Sequence, residues 1–269
     1  MSEIILDKQD LTHLNWSHVR SSSGTAGTFL KSESSLGGTK IYYKLSNFNP
    51  VSGIVGHECI NEIIVDRLLT VLGVDHLDYQ LIHADIEIDG NVYETYVCAS
   101  QDFKKRGENK VALDDYYRIN KLPSETPYDF CTRMGWQRYI DQMIAVDYLI
   151  CNRDRHGANI EVLRNARAKT YRIAPLFDHG LSLMYSCTTK EDIDKFDVLE
   201  DRRCNNFIGG FSCCDNLSLI KDSKSIFTNT LLESDKAVIF ENLDHIVSDE
   251  FIAKAWSMIY ERYQIYENI

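Results

Sequence analysis

The chain has 269 residues, with 29 Lys+Arg against 40 Asp+Glu and a formal net charge of -11. That length supports one large domain or two lobes flanking a cleft, and the negative balance excludes a long-range field that would draw in DNA, RNA or an anionic bilayer. The eight cysteines are scattered without a C-x-x-C pair, and the opening MSEIILDKQD has acids where a signal peptide has a basic start and an apolar core, so the expectation is a soluble, cytoplasmic protein with reduced thiols and no membrane insertion.

In chain order, the first hundred residues read mostly as strands. "WSHVR", "TFLKS", "TKIYYKLS", "YQLIHADIEI" and "NVYETYVCAS" are rich in aromatic and β-branched residues and are separated by turns such as Gly37-Gly38 and Asp89-Gly90. One helix interrupts them: "HECINEIIVDRLLTVLG" has apolar residues at helical spacing and ends on Gly73, a natural stop. The segment "DFKKRGENK" is the candidate linker, after which "YDFCTRMGWQRYIDQMIAVDYLI" reads as a helical stripe with Pro127 near its start. Then come a hairpin, "NIEVL" and "YRIAPLFD" around a basic turn "RNARAKT", and two amphipathic helical segments at about 215–235 and 237–266. The vicinal Cys213-Cys214 pair reads as ordinary packing, because no His/Cys cluster accompanies it. The expected class is α+β and bilobal: an N-lobe over 1–101 with an antiparallel sheet and one helix, and a larger, mainly helical C-lobe over 102–269.

Chemistry concentrates in the loop "LICNRDRHGANIEVL" between the helix and the hairpin. Asp154 and Asn159 are separated by four residues, and a second acid, Asp178, ends the second hairpin strand and precedes a glycine whose missing side chain would let the backbone turn sharply. Phosphoryl transfer needs an acid to orient the attacking hydroxyl and oxygen ligands for magnesium, and protein kinases supply them as Asp-x4-Asn followed by a later Asp. The spacing alone is a weak signal; its order between helix and hairpin gives it weight. Upstream, "RSSSGTAGTFLK" offers Gly24 and Gly27 in a turn where backbone N–H groups could approach phosphates. Lys44 lies on a strand after that turn, and Glu58 and Glu62 share one face of the helix. Either could hold Lys44 at the phosphates, with position relative to "LLTVLG" favouring Glu62.

On "SGTAGTFLK", Lys44, "NEIIVDRLLTVLG", "NRDRHGANI" and "PLFDHG", the chain resembles the HipA-like serine/threonine kinases of the protein kinase-like superfamily, and its loop also resembles that of phosphatidylinositol 3/4-kinases. The resemblance implies a two-lobed kinase using ATP and Mg2+. It makes Asp154 the catalytic acid/base, Asn159 and Asp178 the magnesium ligands, Lys44 the phosphate-binding lysine and Glu62 its partner. Ser23, Gly24, Thr25, Ala26 and Gly27 would form the phosphate loop, and adenine would meet the backbone at Cys98, Ala99 and Ser100. His156 would either face the γ-phosphate or shape the loop, and Arg155 would brace it. Ser21, Ser22 and Ser23 are sites for self-phosphorylation as in some HipA-like kinases. The resemblance leaves room for an antitoxin-like or regulatory partner; no direct contact with nucleic acid is expected.

For the acceptor, residues 179–203 carry six acids (Glu191, Asp192, Asp194, Asp197, Glu200, Asp201) and four bases (Lys190, Lys195, Arg202, Arg203). An anionic phosphoinositide head group would prefer a basic surface here, which favours a protein substrate. A lipid or small-molecule kinase is the alternative, with "KKR" at 104–106 as its support. A nucleotide-binding pseudokinase is the other alternative, disfavoured by the presence of Lys44, Asp154, Asn159 and Asp178 together.

Overall fold

The computed structural model describes residues 2–17, 29–220 and 226–268. Strand β1 (Ile4–Asp10) opens the chain, followed by β2 (Lys31–Leu36), β3 (Thr39–Lys44) and a small hairpin of β4 (Asn47–Asn49) and β5 (Gly53–Val55). Helix α1 (Glu58–Leu72) then leads into β6 (Tyr79–Ile88) and β7 (Asn91–Gln101). Among the described residues these build a five-stranded sheet in the order β1-β6-β7-β3-β2, antiparallel except for the β1–β6 pair. The β6–β7 hairpin turns on Asp89 and Gly90, both at positive φ, the conformation that matches the twist of the strands. Strand β1 has no counterpart in the sequence reading. Its second half, DKQD, is exposed, so it lacks the half-buried alternation that marks a strand.

Helix α1 ends on Gly73 in the left-handed conformation, with the Gly73 and Val74 amides returning to Thr70 and Leu69 carbonyls, as a glycine stop permits. Thirteen of its residues are buried, including Glu58, Asn61, Glu62, Asp66 and Arg67. The polar ones are tied to the rest of the chain. Asn61 donates to the carbonyls of Gly180 and Ser182, and the Arg67 guanidinium donates to those of Ile239 and Glu241. The helix is therefore fixed from both sides rather than resting on the sheet alone.

Beyond Gln101 come β8 (Asn109–Ala112), α2 (Leu113–Asn120), α3 (Pro127–Arg133) and α4 (Gln137–Leu149). The single helix expected over 128–150 is two helices, broken at Gly135, which has φ +78°. The loop strand β9 (Asp154–Arg155) and a 3-10 turn (Gly157–Asn159) precede the hairpin β10 (Glu161–Asn165) and β11 (Thr170–Ile173), which β8 extends to three strands. The remainder comprises α5 (Lys190–Lys195), β12 (Asn205–Asn206) paired in parallel with β9, α6 (Cys213–Leu217), α7 (Lys236–Ile239) and α8 (Asp249–Glu267).

The two long helices expected over 215–235 and 237–266 are corrected here. Described residues of the first form little more than α6 and a 3-10 turn, and the second holds only the short α7 until α8 begins at Asp249, where the Ser248 side chain caps the Phe251 amide at 3.2 Å. The main apolar core joins α1, α3, α4 and α8, and a second cluster of Leu14, Leu30, Leu45, Ile82, Ile86 and Val97 lies within the sheet lobe. All eight cysteines are free thiols. No helix among the described residues is long and apolar enough to cross a membrane.

Candidate active site

Lys44 is the last residue of β3 and sits opposite Cys98 of β7. Its Nζ lies 2.8 Å from Glu62 Oε1 and 2.5 Å from Asp178 Oδ1. Burial disfavours the ammonium, but Asp178 and Glu62 outweigh it and raise the Lys44 pKa well above its ordinary value. Glu62 is fully buried and its other oxygen accepts the His179 amide at 2.8 Å. Of the two helix acids, then, Glu62 takes the lysine; Glu58 accepts instead from the Asn47 amide at 3.3 Å.

Asp178 does not end the hairpin strand as the sequence reading had it, because β11 stops at Ile173. The sharp turn is made by Asp178 itself, at φ +61°, rather than by the glycine after it. The Asp178 amide donates to the Tyr79 hydroxyl at 3.2 Å, a contact that helps hold this costly conformation. Gly180 serves close approach: a Cβ there would stand 3.2 Å from the Glu58 side chain, the Glu58 carbonyl oxygen and Lys44 Nζ. His179 is buried, and burial first, then the nearby Arg155, lowers its pKa well below the ordinary range, so the ring is neutral.

The loop after α4 is held from beneath. Arg155 is fully buried; its Nε and Nη2 reach the Asp147 carboxylate at 3.0 and 2.9 Å, and its Nη1 donates to the Phe177 carbonyl at 2.7 Å. This one side chain thereby spans from α4 to the residue before Asp178. Asn152 donates to Asp147 at 2.8 Å and accepts the Asp154 amide at 3.2 Å. Gly157 is required by packing, since a Cβ there would meet Asp114 Cβ of α2 at 2.5 Å.

Asp154 stands on the upper side of the loop with about a third of its side chain exposed. Burial raises its pKa, Asp178 adds to the rise, and His156, Arg155 and Lys44 oppose it. His156 Nδ1 accepts the Ala158 amide at 3.2 Å, which leaves the ring proton on Nε2. That nitrogen is 3.7 Å from Asp154 Oδ2. The ring both caps the 3-10 turn and faces the carboxylate. Asn159 donates from Nδ2 to the Asp154 carbonyl at 2.8 Å, while its Oδ1 is buried without a hydrogen-bond partner among the described residues.

A buried amide oxygen lacking a donor is costly unless something else binds it. That amide oxygen and the Asp178 carboxylate are hard oxygen donors, a type that suits magnesium better than a transition metal.

A cavity of about 530 Å³ adjoins this cluster at Asp178. Lys44 and Asp178 line its polar part, and Leu77, Phe103 and Phe177 its apolar part, with the two phenyl rings 5.6 Å apart. The side chains of Cys98 and Ser100 also line it. Their backbone, with that of Ala99, does not fit the adenine contact expected of it, because all three residues lie within β7 and pair with β3 on one side and β6 on the other. The chain leaves the sheet only after Gln101. Ser23, Gly24, Thr25, Ala26 and Gly27, and with them Ser21 and Ser22, lie outside the described residues. Ser17 and Lys31, which flank that segment, are joined by two backbone hydrogen bonds of 2.9 Å and both line the cavity.

Among solved structures, the Helicobacter pylori proinflammatory kinase CtkA superposes with a TM-score of 0.58 over 97% of this chain and 97% of that one, at 17% identity. The chain has a kinase fold. The Shewanella oneidensis toxin HipA, solved with HipB and operator DNA, gives a TM-score of 0.44 at 12% identity, over 92% of this chain and 58% of that one. No family model matches the sequence, and no curated protein matches it. The bilobal α+β architecture expected from the sequence is thus the observed one. Tyr79, Asp147 and His179 are the contributors that sequence reasoning did not assign. Of these, His179 had a signal in its place beside Asp178, whereas Tyr79 and Asp147 are distant in sequence and meet the site only through the fold.

Proposed function

We propose that this protein is an ATP- and Mg2+-dependent phosphotransferase, a HipA-like serine/threonine kinase that passes the γ-phosphate to a protein hydroxyl. The observation that carries the reading is the Lys44 ammonium held between Glu62 and Asp178 at the inner end of a nucleotide-sized cavity. Lys44, positioned by Glu62, binds phosphate oxygens. Asn159 and Asp178 hold magnesium, which when bound offsets the charge of the phosphates. Asp154 orients the acceptor hydroxyl and takes its proton, a task suited by its raised pKa. His156 donates toward Asp154 and steadies its charged form.

The lobes divide at about residue 101, with the nucleotide base against Leu77, Phe103 and Phe177. The mixed charge of residues 179–203 favours a protein acceptor in the cytoplasm, and a regulatory partner fits the same reading. The test is incubation with γ-labelled ATP and magnesium followed by intact mass and site mapping. Phosphate on serine or threonine, in this chain or an added protein, is expected. Transfer only to an added phosphoinositide or small molecule would replace the protein acceptor, and nucleotide binding without transfer to any acceptor would refute the enzyme.

A further inference from the structure

The connection from α1 to β6 gathers three ligating side chains outside the cleft chemistry. Asp66 leaves α1 one turn after Glu62, and His76 and Asp78 follow the Gly73 stop; one ligand atom of each lies within 4.8 Å of the others. The Asp66 side chain is fully buried and that of His76 nine-tenths buried. Asp78 is exposed, which opens the group to solvent.

Hydrogen-bond accounting shows what this group lacks. His76 Nδ1 is 2.7 Å from the Val74 carbonyl oxygen, which can only accept, so Nδ1 carries a proton. The Thr70 hydroxyl spends its proton on the Asp66 carbonyl at 3.1 Å. His76 Nε2 then faces Asp66 Oδ1 at 3.3 Å and the lone pairs of Thr70 Oγ1 at 3.3 Å. The other Asp66 oxygen is taken by the Tyr79 amide at 2.6 Å. With a neutral imidazole protonated on Nδ1, Nε2 and Asp66 Oδ1 face each other as acceptors 3.3 Å apart, a pairing that a cation between them relieves.

A second proton on His76 is the simplest cation. A charge-assisted N–H···O bond, however, settles at about 2.7–2.9 Å, shorter than the 3.3 Å seen between Nε2 and Oδ1. Two ligand atoms each about 2.0–2.1 Å from a tetrahedral zinc ion stand roughly 3.3–3.4 Å apart. An Nδ1–H resting on a backbone carbonyl is also the outer contact that orients metal-binding histidines.

We propose that Asp66, His76 and Asp78 form a binding site for a divalent transition metal of the zinc class, with one imidazole and two carboxylates as ligands and water completing the shell. The site lies behind the cleft and is connected to it. Tyr79, whose amide holds Asp66, receives the Asp178 amide on its hydroxyl, and the Leu77 amide donates to the Leu176 carbonyl at 2.8 Å. A bound ion fastens α1 to the connection at residues 73–78, which in turn pairs with the segment that leads into Asp178.

The test titrates chelator-treated, full-length protein with zinc by calorimetry, with excess magnesium present to occupy hard-oxygen sites, and repeats it with cobalt for its absorption spectrum. One zinc equivalent per chain is expected, with a cobalt spectrum free of thiolate charge transfer. Affinity should fall roughly tenfold or more in both His76→Gln and Asp78→Asn, since even outer contacts of metal ligands are worth about 10–100-fold. Asp78 is exposed, so its variant reports even if His76→Gln does not fold. No saturable zinc binding, a thiolate band, or unchanged affinity in Asp78→Asn would overturn the proposal.

Discussion

Asp154 and Arg155 are adjacent in the chain, yet their surroundings are opposite. Arg155 points inward, fully buried, with Asp147 and the Phe177 carbonyl taking its donors. Asp154 points outward, partly exposed, in surroundings that disfavour its charge. The strand geometry of β9 produces the contrast, because successive side chains face opposite ways. One face of the loop is therefore anchored by a buried ion pair while the other presents a carboxylate with an elevated proton affinity. Stability and reactivity are assigned to alternate residues of the same two-residue strand.

The comparison is broken most completely by removing the acid that both faces address. Asp178→Ala should abolish magnesium-dependent nucleotide binding, readable by calorimetry with and without magnesium, because it deletes both the proposed magnesium ligand and a partner of Lys44. Asp154→Asn should lower turnover by about 10²–10⁴ while leaving the melting temperature equal or higher. The sign follows from the raised pKa: burial lifts the folded-state value above the unfolded one, so the group's contribution to stability is present below its unfolded pKa and lost as pH rises through the folded pKa. At neutral pH the charge is a penalty that the amide does not incur. By the same shift, kcat/KM should fall on the acid side at a pH above that of an ordinary aspartate. A variant that loses activity and also melts much earlier would contradict this division of roles.

Arg155→Ala should do the reverse, costing about 3–5 kcal/mol by leaving Asp147 charged, buried and without its partner. Denaturant unfolding would measure it, and a change below about 1 kcal/mol would show that Arg155 is not the anchor. Gly157→Ala is the smallest expected effect, about 1–3 kcal/mol, because the new methyl meets Asp114 Cβ at 2.5 Å and α2 must shift. A fully neutral Gly157→Ala would place α2 farther from the loop than described.

The sequence made the Asp154-x4-Asn159 loop, helix α1 and most of the sheet legible, because their signals are local: a loop between helix and hairpin, a glycine stop, alternating strands. Glu62 could be preferred over Glu58 only by position; the fold discriminates them, placing Glu62 against Lys44 and Glu58 against the Asn47 amide. What failed was non-local. Assigning adenine to the backbone of Cys98–Ser100 required knowing where β7 leaves the sheet, and that depends on pairing with β3 and β6. Asp178 was read as a strand end because Gly180 is the stronger turn signal, yet the aspartate itself adopts positive φ with its amide on Tyr79. The apolar stripe of residues 128–150 hid a break because Gly135 interrupts helix geometry without interrupting the hydrophobic pattern.

The most direct measurement of the central claim is magnesium-dependent γ-phosphate turnover in wild type beside Asp154→Asn, with nucleotide affinity measured on the same samples. The account predicts similar ATP affinity in both, with turnover lowered by about 10²–10⁴ in the variant. Equal turnover in the two proteins would remove Asp154 from the chemistry and contradict the assignment of this loop as the catalytic one.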